Sequence, residues 1–144
     1  MYESVSAWFK RAIKAEDCYD RFISAYVALN FLYDERDERF ERMRMVNYLV
    51  EAAKRSHVDP FACNVDEYLA APVINMRPHL GGEKSCKVER NNNSELFSAI
   101  YQVRCNLFHG NKCLGNPRDQ RLVQQGAEVI IRILAKKLCL NNMP

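Results

Sequence analysis

Arg104 and His109 are the residues of this chain most suited to chemistry, in the string Ile100-Tyr101-Gln102-Val103-Arg104-Cys105-Asn106-Leu107-Phe108-His109-Gly110. Arginine stays protonated and offers a planar fork of N–H donors that matches phosphate oxygens. Histidine, with a pKa near ~6.5, takes or gives a proton at neutral pH. An Arg/His pair therefore suits a phosphodiester, with one group holding the phosphate and the other moving a proton. Cys105 as a thiolate nucleophile is a weaker idea, because no base stands at an obvious spacing from it. A purely structural account also exists. Arg104 would snorkel, its stem packed on Tyr101 and Phe108, and His109 would sit as a cation against the negative end of a helix dipole.

The surrounding pattern places both residues near the end of a helix. Leu96, Ile100, Val103 and Leu107 form one apolar row. Phe97, Tyr101, Arg104 and Phe108 form the row beside it, so an arginine stands in line with aromatics. Gly110 is a suitable residue for ending the helix, which puts His109 at its terminus. Residues five apart on an ideal helix point about 140° apart. Arg104 and His109 would face one substrate only if the helix stops or unwinds before His109.

A second stretch carries weight beside the first: Phe22-Ile23-Ser24-Ala25-Tyr26-Val27-Ala28-Leu29-Asn30-Phe31-Leu32-Tyr33. Together, this Asn-x-x-Tyr helix and the Arg-x4-His string resemble the HEPN superfamily, and within it the Apea-like branch. The resemblance implies an all-α fold, an antiparallel bundle of four main helices with short helices in an irregular 57–93 insertion. It implies a metal-independent endoribonuclease that needs no cofactor. The ribose 2′-hydroxyl would attack phosphorus and expel the 5′-oxygen, leaving a 2′,3′-cyclic phosphate and a 5′-hydroxyl. One Arg and one His are a sparse set for two proton transfers. The resemblance implies a homodimer in which two such segments share a cleft. Arg104 and His109 would be catalytic, with Cys105, Asn106, Asn30 and Tyr101 in support. The family usually has Asn, Asp or His after the arginine, and here stands Cys105, a weak hydrogen-bonding group. The setting would be a toxin or defence effector restrained by an antitoxin or nucleotidyltransferase partner. The alternative is a non-catalytic HEPN dimer that binds RNA, a nucleotide or such a nucleotidyltransferase. A third reading is a plain helical bundle with Arg104 as a core strut.

Composition bounds these readings. The chain has 144 residues, enough for one domain with a real core, so we expect a single domain over 1–144. A net charge of +3 is far from that of a strongly basic nucleic-acid-binding protein. RNA contact would have to rely on a local patch or on charge pooled in a dimer. The six cysteines show no C-x-x-C spacing, and no signal peptide is visible, so we expect reduced thiols and a cytoplasmic location. No apolar run is long enough for a membrane span. His57, Cys63, His79 and Cys86 fit no standard zinc spacing, so no metal site is expected.

The remaining elements follow from periodicity. Val5, Trp8, Phe9, Ala12 and Ile13 form the stripe of a helix over 3–17, with Trp8 as a core residue rather than a stacking platform and Ser4 or Ser6 as cap. The 20–34 stretch is apolar nearly all round and is the expected central helix. Asn30 within it must be hydrogen-bonded, either to a neighbouring backbone or to Arg104. Residues 35–56 either extend that helix or begin a new one, with Phe40, Met43, Val46 or Asn47, and Val50 as the stripe. Arg36, Arg39, Arg42 and Arg44 are a weak candidate for an RNA-facing patch because acids interleave them. Prolines and glycines break 57–93, apart from a short helix from Val65 to Ala71. So long an insertion suggests a binding loop, with Arg77 and His79, and Lys112 from the 110–118 loop, as substrate contacts. Ser94 would cap the 94–109 helix. A last helix covers 118–139, where Gly126 in mid-helix implies close approach of the preceding helix or of a second subunit.

Overall fold

A computed structural model describes residues 2–33, 40–77, 84–108 and 116–141, and within them the protein is all-α but for one small hairpin. The helices are α1 (Tyr2–Lys14), α2 (Cys18–Asn30), α3 (Glu41–Arg55), α4 (Asp66–Ala70), α5 (Asn93–Phe108) and α6 (Pro117–Asn141). A 3-10 turn occupies Pro60–Ala62, and β1 (Val73–Ile74) pairs antiparallel with β2 (Ser85–Cys86). Among the described residues no helix is long and apolar enough to cross a membrane.

The nearly all-round apolarity of α2 makes it the centre. It packs against α1 on one side and α6 on the other, and Phe22, Ala25, Tyr26, Ala28 and Leu29 have no solvent exposure. Asp17 starts it, its carboxylate accepting from the amide of Asp20. Arg21 then joins three helices. Its Nη1 donates to the carbonyls of Ala12 and Ile13 at the end of α1, and its Nε donates to Glu128 of α6 at 2.7 Å. On α1 itself, Val5 and Ala12 are buried, whereas Trp8 is only half-buried and carries the Arg11 guanidinium over its ring. Ser4 and Ser6 lie inside α1 rather than at its cap.

Of the 35–56 stretch, residues 35–39, with Arg36 and Arg39, lie outside the described residues, and the rest carries the separate helix α3, so the long helices number five among the described residues. The buried row of α3 is Met45, Leu49, Ala52 and Ala53. Of the row expected from sequence, Phe40 and Met43 are 46% and 54% exposed, whereas Val46 and Val50 are half-buried and pack against the core. Arg42 of this helix is captured by α5. Arg42 Nη1 donates to the Ser98 carbonyl and hydroxyl, and Nη2 donates to Gln102 Oε1 at 2.7 Å. It is a strut between α3 and α5, not a free cation for RNA.

The expected Val65–Ala71 helix appears as α4, seated on α6 where Gln125 accepts the Glu67 amide and Arg121 pairs with Glu67. Gly126 is the reason α4 can come so close. The fully buried Tyr68 of α4 donates its hydroxyl to the Leu122 carbonyl at 2.7 Å, directly over the space a Cβ at 126 would fill. Ile100 of the preceding long helix also lies near, but Tyr68 and Phe22 are nearer. Helix α5 is capped by Asn92, whose Oδ1 accepts the Glu95 amide, so its start lies two residues before the expected cap at Ser94. Both residue types cap well, and the backbone turn at Glu89–Asn92 decides for the earlier one.

Candidate active site

Three of the residues singled out from sequence, Arg104, Tyr101 and Asn30, meet in one cluster between α2, α3 and α5. The i, i+3 spacing of Tyr101 and Arg104 turns both towards α2, whose Tyr26 and Asn30 are followed by Tyr33 just past its end. The guanidinium carbon of Arg104 lies 5.3 Å from the Tyr26 ring centre, 5.5 Å from that of Tyr101 and 4.7 Å from that of Phe108. Three ring faces of negative quadrupole around one cation are a cation–π box. Phe108 meets Tyr26 edge-on, which fixes that wall of the box.

Glu41 supplies the counter-charge. Its Oε1 lies 3.4 Å from Arg104 Nη2, and its Oε2 accepts from the Tyr101 hydroxyl at 3.1 Å. Tyr33 has two acceptors in reach of its single hydroxyl hydrogen, Asn30 Oδ1 at 2.6 Å and Glu41 Oε1 at 3.2 Å. Tyr26, 2.8 Å away, then donates to the Tyr33 oxygen. Asn30 is thus hydrogen-bonded, as an amide in so apolar a helix must be, and is linked to Arg104 through Tyr33 and Glu41 rather than directly.

Burial pushes the Tyr26 hydroxyl well above the usual phenol range, against the opposing pull of its bond to Tyr33. The Tyr101 hydroxyl is raised likewise by burial, with the Cys105 thiol and the Glu41 carboxylate adding to it. Both remain protonated donors. Burial works against the charge of Arg104, but the oxygens of Tyr26, Glu41 and Tyr101 outweigh it, so the guanidinium is held more firmly protonated than usual.

Two arginines share the Tyr101 ring, and they are not equivalent. Arg42, 4.8 Å from the ring centre, spends its Nη1 and Nη2 on Ser98 and Gln102. Arg104 reaches Glu41 with Nη2 only. Its Nη1 has the Cys105 sulfur at 4.0 Å, and its buried Nε has no hydrogen-bond partner among the described residues. Among the described residues, Arg42 is thus held at both terminal nitrogens by oxygens of α5, whereas Arg104 has an oxygen partner at one.

Asn106 points away from this cluster. It is 2% exposed, donates from Nδ2 to the Ile74 carbonyl, and accepts from the Met76 amide and from Gln102 Nε2. It imitates a strand backbone and pins β1 to α5, which a supporting role beside Arg104 would not leave it free to do. Asn106→Ala is expected to cost about 2 kcal/mol, since buried backbone groups lose their partner, and to speed hydrogen exchange at the Met76 amide. Unchanged exchange there would contradict this role. Arg77 follows Met76 directly, its amide held by Asn75 Oδ1, so the hairpin end lies beside the C-terminal half of α5. His109, His79 and Lys112 lie outside the described residues.

Sequence reading missed Glu41, Tyr26 and Tyr33. Glu41 was hidden in a run of alternating charges that looks like a solvated face. The signal that does mark the site is the i, i+4, i+7 row Tyr26, Asn30, Tyr33, together with the Tyr101–Arg104–Phe108 row of α5.

The chain matches no protein-family model, no curated protein and no solved structure.

Proposed function

We propose that the protein is a metal-independent endoribonuclease of the HEPN type, acting through Arg104 and His109. The observation that carries this reading is the under-used guanidinium of Arg104. It is charged and fixed by three rings and a carboxylate, its side chain is 20% exposed, and among the described residues a carboxylate reaches only one of its nitrogens. His109 is next in sequence after the final residue of α5. A phosphoryl group bound by Arg104 would meet fixed positive charge where the pentacovalent transition state develops negative charge. The 2′-hydroxyl gives its proton to a base and its oxygen bonds to phosphorus. The bond to the 5′-oxygen breaks, and that oxygen takes a proton. In a homodimer with both Arg104/His109 segments in one cleft, the two imidazoles divide these tasks.

A second reading, a non-catalytic RNA- or nucleotide-binding dimer, draws on Glu41, whose carboxylate partly neutralises the arginine that would greet a phosphate. Incubating the purified protein with RNA and mapping the product ends separates the two. Cleavage is expected to leave 2′,3′-cyclic phosphates and to fall about 10²–10⁴-fold in His109→Ala, the usual worth of a general acid or base. If His109→Ala cuts as fast as the parent protein, the ribonuclease reading is wrong. Retention of RNA without any cutting favours the binding module.

A further inference from the structure

We infer that Glu41 is the positioning residue of Arg104. It fixes the plane of the guanidinium so that the exposed part of the group, and not its buried Nε, is presented to a phosphodiester. The catalytic consequence rests on the ribonuclease reading above, but the positioning itself does not.

The carboxylate is 13% exposed and sits at the first residue of α3. Burying a carboxylate is costly unless it is paired and hydrogen-bonded. A strut would need only a cation to satisfy it, as Arg55 satisfies Glu51 on the same helix. At Glu41, the groups that hold the acid also build the box around the base. Tyr101 donates to Oε2 with its hydroxyl and covers the guanidinium with its ring. Tyr33, which reaches Oε1, is hydrogen-bonded to Tyr26, whose ring covers another side of the guanidinium. The Tyr101 hydroxyl thus fixes one carboxylate oxygen, ring faces confine the cation, and the ion pair joins the two.

The ion pair takes up one guanidinium nitrogen. Were Glu41 there to neutralise Arg104, a bidentate pairing would serve better. A single contact at 3.4 Å leaves the cation oriented but still able to donate. The carboxylate also repels an incoming phosphate, so it acts against binding while favouring geometry. That combination predicts a split between kinetic constants that a merely structural residue would not produce.

Glu41→Gln keeps the shape and one acceptor oxygen, enough for the Tyr101 hydroxyl, but it places an amide nitrogen where the second oxygen stood and lacks the charge that holds Arg104. RNA cleavage by this variant is expected to lose about 10²-fold in kcat, the effect of a misplacement of about 1 Å, with KM unchanged or lower. A purely structural role would lower thermal stability while leaving both constants intact per folded molecule, and would overturn the inference. A second readout does not depend on activity. In ¹⁵N spectra of arginine side chains, with Arg104 assigned through Arg104→Lys, the parent should show separate Nη signals from slow rotation. Glu41→Gln should merge them. Signals that stay split in Glu41→Gln would overturn the positioning role. If the parent fails to cut RNA, the ribonuclease reading falls while the spectra still decide for or against Glu41.

Discussion

Arg104→Ala is expected to remove about 3 kcal/mol of stability and, if the proposed ribonuclease function holds, all RNA cleavage. Removing one member of a buried ion pair leaves the other charge desolvated and uncompensated, and such losses run to about 3–5 kcal/mol. The Arg104 and Glu41 side chains are 20% and 13% exposed, which places the loss at the lower end. In a chain of this length, that corresponds to a fall in Tm of about 10 °C. Three aromatic rings also lose the cation they enclose. Replacing both charges, as in Glu41→Gln with Arg104→Met, should recover most of the stability, because no unpaired charge remains. It should recover none of the activity. Thermal unfolding followed by circular dichroism tests the first part, and cleavage measured well below each midpoint tests the second. A loss under about 1 kcal/mol in Arg104→Ala would mean that solvent screens the pair as it does at an exposed surface. A double variant no more stable than Arg104→Ala would show that the packing of the arginine, and not its charge, holds the helices.

Gly126→Ala is the second large effect, and here the usual rule for helices reverses. Alanine in place of glycine within an exposed helix gains about 1 kcal/mol. At Gly126 the added methyl would stand 2.6 Å from the Tyr68 hydroxyl oxygen and 3.2 Å from Phe22 Cε2. Tyr68 cannot withdraw easily, since it is fully buried and its hydroxyl is bound to the Leu122 carbonyl. Overpacking of this kind costs about 1–3 kcal/mol, and displacing Tyr68 also breaks its hydrogen bond, worth about 1 kcal/mol. We expect a net loss of about 2 kcal/mol. Tyr68→Phe deletes the obstructing oxygen, so the double variant Gly126→Ala with Tyr68→Phe should lie closer to Tyr68→Phe alone than additivity allows. Chemical denaturation of the four proteins gives the coupling. Strictly additive losses would show that the tyrosine hydroxyl is not what keeps residue 126 a glycine.

These two sites differ in how far the linear chain discloses them. That Gly126 lies under a close contact is legible, because glycine in mid-helix is unfavourable unless something needs the space. That the visitor is Tyr68 is not legible, since 58 positions separate the two, and any buried residue could have filled the role. Similarly, Asn30 in a run of apolar residues announces that it has a hydrogen-bond partner without naming Tyr33. Arg104 in an aromatic row announces a box, and Tyr101 and Phe108 do form two of its walls. The third wall and the counter-charge come from α2 and α3.

The sequence by itself determined the all-α class, the central place of α2, the short helix before the hairpin and the buried faces of α5 and α6. Each of these depends on the 3.6-residue repeat of a single helix, which is a local property of the chain. Only the tertiary structure decided which face of α3 is buried, that Asn106 serves the hairpin, and that Glu41 and not a solvent ion answers Arg104. Those outcomes depend on the rotation and offset of one helix against another. The repeat of α3 does not rank its apolar side chains, and in the packed protein Met45 and Leu49 are fully buried while Phe40 and Met43 are exposed. Polar partners drawn from distant segments are selected by packing, and no spacing within one segment records that choice.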